Sequence, residues 1–98
     1  MGYRIGFAPA VQAHLQQLSA RQRATLFDQV NRQLANEPLT ETRNRKRMRP
    51  NALASWELRV GNLRVYYDIV EDKSEVLVLA VGIKTGNRVT IGGEAVEL

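Results

Sequence analysis

The stretch that most limits what this chain can fold into runs from Trp56 to Asp68: Trp-Glu-Leu-Arg-Val-Gly-Asn-Leu-Arg-Val-Tyr-Tyr-Asp. Apolar and polar residues alternate on both sides of Gly61-Asn62, the pattern of two half-buried strands joined by a tight turn. Gly adopts positive φ freely and Asn more readily than most residues, so a two-residue hairpin loop fits. That loop pairs Val60 with Leu63, Arg59 with Arg64, Leu58 with Val65, Glu57 with Tyr66 and Trp56 with Tyr67. One face then carries Trp56, Leu58, Val60, Leu63, Val65 and Tyr67. The other carries Glu57, Arg59, Arg64, Tyr66 and Asp68. Two arginines directly opposite each other repel. The expectation is that they hold an anion, and that replacing either leaves folding intact or slightly improved.

The rest of the chain supplies what the hairpin packs against. Tyr3, Ile5 and Phe7 alternate with polar or small residues, as in a first strand. Pro9 suits a first helical turn, and Val11, Leu15 and Leu18 follow at helical spacing, a short amphipathic helix to about Leu18. Ser19 to Gln22 fits a capping box. The helix it opens runs to about Ala35, with Phe27, Val30 and Leu34 as its apolar stripe and Arg21, Arg23, Gln29 and Arg32 facing water. Asn36-Glu37-Pro38 ends it. After the hairpin, Val70 to Glu75 reads as a polar turn. Val76 to Ile83 is apolar on both faces, as in a central strand, with Gly82 marking a bulge or a close backbone approach. Lys84 to Arg88 is a turn, Val89 to Ile91 a short strand, Gly92-Gly93 another turn, and the end a final strand or tail. The fold class is α+β over a single domain, residues 1–98. Two N-terminal antiparallel helices pack on one face of a twisted, mainly antiparallel sheet in the order β-α-α-β-β-β, leaving the arginine face open.

Charge narrows the function. Fourteen basic against ten acidic residues give a net +4. Arg43, Arg45, Lys46, Arg47 and Arg49 supply five of these charges within seven residues; without them nine basic and ten acidic residues remain, a net of −1. The segment from Leu39 to Ala54 has no usable periodicity and reads as a basic loop. Such a concentration points to nucleic acid or an acidic protein. There is no cysteine, which excludes disulfides and thiolate chemistry. The single histidine, His14, cannot form a multi-histidine metal site, so no metal or cofactor is expected. No apolar run approaches the ~20 residues of a membrane span, and the N-terminus lacks a signal peptide's pattern, so a cytoplasmic protein with no membrane partner is expected.

The element order, with Leu-Arg-Val-Gly-Asn-Leu-Arg-Val-Tyr-Tyr-Asp followed by Val-Leu-Ala-Val-Gly-Ile-Lys, resembles the RelE/ParE superfamily of type II toxin–antitoxin toxins over essentially the whole chain. The run from Pro50 to Arg59 and the Gly92-Gly93-Glu94 ending resemble a RelE-like branch. RelE members are ribosome-dependent endoribonucleases in which the RNA 2′-hydroxyl attacks the adjacent phosphate while basic residues neutralise the developing charge. On that resemblance Arg64 and Lys84 match the family's sheet arginine and its basic residue after the Val-Gly strand end. Arg59 joins them on the phosphate, and Glu57 is the candidate base. Arg43, Arg45, Lys46, Arg47, Arg49, Tyr66 and Arg88 are the expected RNA contacts. Where many members carry a C-terminal tyrosine, this chain reads Arg88-Val89-Thr90-Ile91. The resemblance implies an mRNA-cleaving toxin that inhibits translation, with ribosome-bound mRNA as substrate and a cognate antitoxin as partner. The alternatives are a ParE-like gyrase inhibitor that acts by binding, and an inactive member that only binds RNA or antitoxin.

Overall fold

The computed structural model describes residues 2–97. Its centre is the expected hairpin: β3 (Trp56–Val60) and β4 (Leu63–Val70) pair antiparallel in the register read from the sequence, with Arg59 opposite Arg64. Gly61 has φ +59° while Asn62 does not adopt positive φ. Only the first turn position thus exploits conformational freedom, as in a type II′ turn.

β1 (Arg4–Phe7), β2 (Arg45–Arg47), β5 (Glu75–Thr85), β6 (Arg88–Ile91) and β7 (Glu94–Val96) complete one seven-stranded sheet. Its spine runs β2-β3-β4-β5-β6-β7, antiparallel throughout. The long β5 serves two neighbours along its second edge: β1 pairs parallel with Glu75 to Val78, and β6 pairs antiparallel with Gly82 to Thr85. In the gap between them the Val81 N–H donates to His14 Nδ1 at 3.2 Å. An otherwise orphaned sheet donor is thereby satisfied by a helix side chain.

Between Tyr66 and Tyr67 the β4–β5 register shifts, so Leu79 has no partner. This bulge changes the parity of β5. Val76 and Val78 before it, and Val81 after it, all enter the helix-side core. Two-sided apolarity is what the sequence showed; the bulge sorts it.

α1 (Val11–Leu15) is shorter than expected and α2 (Ala20–Leu34) has the expected length. Ser19 Oγ accepts from Gln22 N–H and Gln22 Oε1 accepts from Ser19 N–H, the complete capping box. α1 runs on into tight turns in which Gln17 and Leu18 N–H donate to His14 and Leu15 O, and the Arg23 guanidinium donates to Leu15 O at 3.2 Å and Leu18 O at 2.6 Å. Arg23, expected in water, is instead a helix C-terminal clamp. Val11, Leu18, Leu26, Val30 and Leu34 pack on Trp56, Leu58, Val65, Tyr67 and the β5 valines as the main core.

The opposite face is not simply open. Tyr66 and Ala80 are buried there beneath Ala54, with Met48, Leu53, Val89 and Ile91 packed around them. Two parts of the chain cover it: the 48–55 loop on one side and the β6–β7 hairpin on the other. Between them lies the hollow that concerns function.

Candidate active site

Strand alternation puts Glu57, Arg59, Arg64 and Tyr66 on the face away from the helices. The β5 end and its turn add Lys84 and Asn87, and β6–β7 close the far side with Val89, Val96 and Glu97. Together these residues line one hollow of about 460 Å³. Glu57, Arg59, Arg64 and Lys84, the four residues nominated from sequence for chemistry, thus share one concave site.

The expected arginine clash is resolved by sending the two guanidiniums to different partners. Arg64 is buried and folds back on its own turn, donating through one terminal nitrogen to Gly61 O and Leu63 O, each at 2.8 Å. Arg59 extends to Glu57, its Nε 3.1 Å from Oε1. The Arg64 bonds argue against the expectation that this residue can be removed without cost, and a thermal melt of Arg64→Ala decides it. Arg64 clamps two turn carbonyls, and hydrogen bonds from a charged donor are worth about 1.5–3 kcal/mol each. Gly82 lies directly across from Arg64. A Cβ there would sit 2.9 Å from Thr90 O and 2.9 Å from Val89 Cγ1. The glycine is the close approach that lets β6 cover the Arg64 end of the hollow.

Tyr66 was expected to contact RNA, and its burial prevents that in this conformation. The ring is 0 % exposed, and its Oη is buried with no hydrogen bond of sound geometry among the described residues. Burial raises its pKa well above the ordinary tyrosine value, and the facing Glu57 carboxylate raises it further. The hydroxyl therefore keeps its proton at neutral pH and presents a donor to the region of Glu57. Lys84 is exposed at the rim, and its backbone N–H donates to Asn62 O at 2.7 Å, tying the β5 end to the hairpin turn.

The basic segment divides. Arg45–Arg47 is an edge strand paired with β3, not loop, because β3 offers a free edge. Strand alternation then sends Arg45 and Arg47 to one face and Lys46 to the other. Arg45 is buried: one terminal nitrogen donates to Gln33 O and to Glu37 O, the latter at 2.7 Å, where α2 ends. It satisfies the Gln33 carbonyl that the helix terminus leaves open, shares the Glu37 carbonyl of the following turn with Thr40 N–H, and is withdrawn from any RNA. Arg47 lies 5.5 Å from the Trp56 ring centroid, a cation–π contact. Arg43 is exposed ahead of β2. Arg88 is on the opposite sheet face from Lys84 and opens onto an adjoining depression with Thr85 and Asn87.

Lys46 and Arg49, with Met48, Pro50 and Asn51, line a second hollow of about 540 Å³ that also includes Arg47, Glu57 and Arg59. Its loop is tightly held. Asn51 Nδ2 donates to Arg49 O at 2.7 Å and Ala54 O at 3.0 Å, while its Oδ1 accepts from Leu53 and Ala54 N–H. Asp68 Oδ1 accepts from Ser55 N–H at 2.6 Å. Sequence reasoning did not single out Asn51, although an Asn after Pro50 is an Asx-turn signal. Asn87, Val96 and Glu97 carried no signal at all, since the β5–β6 turn brings the first to the hollow and the β6–β7 pairing the other two.

A helix pair thus backs a hairpin-centred sheet, with a basic hollow on the face away from the helices. The family model of the ParE toxin of type II toxin–antitoxin systems (parDE) matches residues 5–86, and the chain belongs to that family. Among solved structures, the chain is similar to the toxin–antitoxin complex RelBE2 of Mycobacterium tuberculosis. The TM-score is 0.74 at 25% identity, covering 86% of this chain and 100% of that one. No protein of curated function matches significantly. The protein is a type II toxin of the RelE/ParE superfamily, with the α+β fold expected from its sequence. Among the described residues no helix is long and apolar enough to cross a membrane.

Proposed function

We propose that this toxin cleaves mRNA on the ribosome, with the hollow between β3, β4 and the β5–β6 turn as its active site. The observation that carries the reading is the convergence of Arg59, Arg64 and Lys84 with the Glu57 carboxylate in one concavity. In the reaction the RNA 2′-oxygen attacks the adjacent phosphorus and its proton passes to Glu57. The bond from phosphorus to the 5′-oxygen breaks, and that oxygen takes a proton from the Lys84 ammonium. Arg59 and the free edge of Arg64 neutralise the charge that builds on the phosphate oxygens. The products are a 2′,3′-cyclic phosphate and a 5′-hydroxyl. A small antitoxin is the proposed neutralising partner, since the structural relative was solved as a toxin–antitoxin complex.

The match to the ParE family model favours a second reading, inhibition of DNA gyrase by binding. Inducing the toxin and mapping mRNA ends separates the two. Cuts in phase with codons, lost in a Lys84→Ala and Arg59→Ala double variant that melts normally, support cleavage. Intact mRNA accompanied by DNA damage and filamentation overturns it in favour of gyrase.

A further inference from the structure

The two hollows share two lining residues, Glu57 and Arg59. Their ion pair is therefore the wall between them. Glu57 sits in a row that crosses the sheet, with Lys46 opposite it on β2 and Tyr66 opposite it on β4. Directly opposed side chains have Cβ atoms about 4.5–5.5 Å apart. The carboxylate thus has three possible partners, Lys46, Arg59 and Tyr66 Oη, and it takes Arg59. The Tyr66 hydroxyl is buried against the same carboxylate, close enough for its pKa to be raised by it, but without a hydrogen bond of sound geometry, an arrangement that is costly for a buried donor.

The wall is open to solvent on its Arg59 side only, since the Glu57 side chain is 17% accessible. Arg59 is well exposed, its side chain 41% accessible, and a pair so placed contributes little. A phosphate offers a guanidinium the same bidentate geometry as a carboxylate. The floor on either side is rigid by comparison: Arg64 is clamped to its turn, and the 48–55 loop is held by Asn51 and Asp68.

We infer that the Glu57–Arg59 pair is a movable partition: a single RNA strand displaces it, merging the two hollows into one track in which one phosphate takes Arg59, the next takes Lys46 and Arg49, and Glu57 passes to the Tyr66 hydroxyl. The inference rests on the reading of the central hollow as an RNA site and adds a second subsite with an internal competitor to it. Tyr66 becomes a positioning residue, acting through Glu57 without touching the RNA. Its buried hydroxyl, which faces Glu57 without a well-formed hydrogen bond in the free protein, suits that role.

Binding of a 2′-O-methyl pentanucleotide, which lacks the attacking hydroxyl, tests the partition separately from cleavage. Glu57→Ala is expected to bind roughly two- to fivefold tighter than wild type, the factor that loss of a weak exposed pair gives. Tyr66→Phe is expected to bind more weakly, and to have no effect in the Glu57→Ala background, because the hydroxyl acts only on that carboxylate. Replacing Lys46 and Arg49 together by alanine should lower the slope of log affinity on log salt by roughly 0.7, as for one lost single-strand phosphate contact. No gain in Glu57→Ala, absence of binding in every variant, or a Tyr66→Phe loss that persists without Glu57 would each overturn the inference. A protein that passes these tests yet leaves mRNA intact would keep the track and lose the nuclease.

Discussion

Arg45→Ala tests whether the basic segment divides into a structural part and a binding part. The guanidinium is 7% exposed and donates to two carbonyls at the end of α2, those of Gln33 and Glu37. At about 1.5–3 kcal/mol for each bond from a charged donor, the two contribute about 3–6 kcal/mol. Against that stands Arg45 Nε, buried with no partner, whose lost hydration costs about 1–3 kcal/mol. The net loss on truncation spans about 0–5 kcal/mol and centres on about 2–3 kcal/mol. A domain of this size shifts its melting temperature by about 4–8 °C per kcal/mol, so a fall of roughly 10–20 °C is expected. Thermal melts followed by circular dichroism read it directly. Oligonucleotide affinity, measured well below the melt, should be unchanged, whereas Lys46→Ala should leave the melt alone and weaken binding. A variant that melts within a degree or two of wild type and loses RNA affinity would refute the structural assignment of Arg45.

Gly82→Ala should destabilise by about 1–3 kcal/mol, because the new methyl meets the Thr90 carbonyl and the Val89 side chain below contact distance; urea titration would show an unchanged slope and a lower midpoint. His14 gives a pH dependence. Burial lowers its pKa below the ordinary value of 6.5, and its Nδ1 must stay unprotonated to accept the Val81 N–H. The folded state thus binds the proton less readily than the unfolded chain. The contribution is complete above about pH 6.5 and is lost as pH falls below it through the folded-state value. Melting temperature should therefore decline over that acidic window in wild type, and the decline should flatten in His14→Gln.

The parts of the site that were legible in the sequence are those set by period-two alternation over a short hairpin. Arg59, Arg64, Glu57 and Tyr66 could be assigned to one face and one register because slipping by one residue would expose Trp56, Leu58, Val65 and Tyr67. Alternation says which face a side chain leaves from, and nothing about what later covers that face. Tyr66 was thus read as an accessible aromatic when Ala54, Met48 and Ile91 bury it. Arg45 was counted with its neighbours because charge composition is blind to direction. Only the pairing of β2 with β3 turned it toward the end of α2.

The hairpin, its turn, the capped second helix and the core stripe followed from local rules: alternation, capping chemistry and helical spacing each act within a few residues. The family resemblance could be read at that level for the same reason. The hollow could not. Its walls come from the β3–β4 hairpin, the β5 end with the turn after it, and the β6–β7 strands, which meet only once the sheet has closed around a long β5 with a bulge at Leu79. Which arginine holds the fold and which faces an anion depends on which carbonyls need a donor: the distant Gln33 and Glu37 for Arg45, and those of its own turn for Arg64. Charge was written in the chain, but the hydrogen-bonding needs of the folded backbone decided which charges remain available.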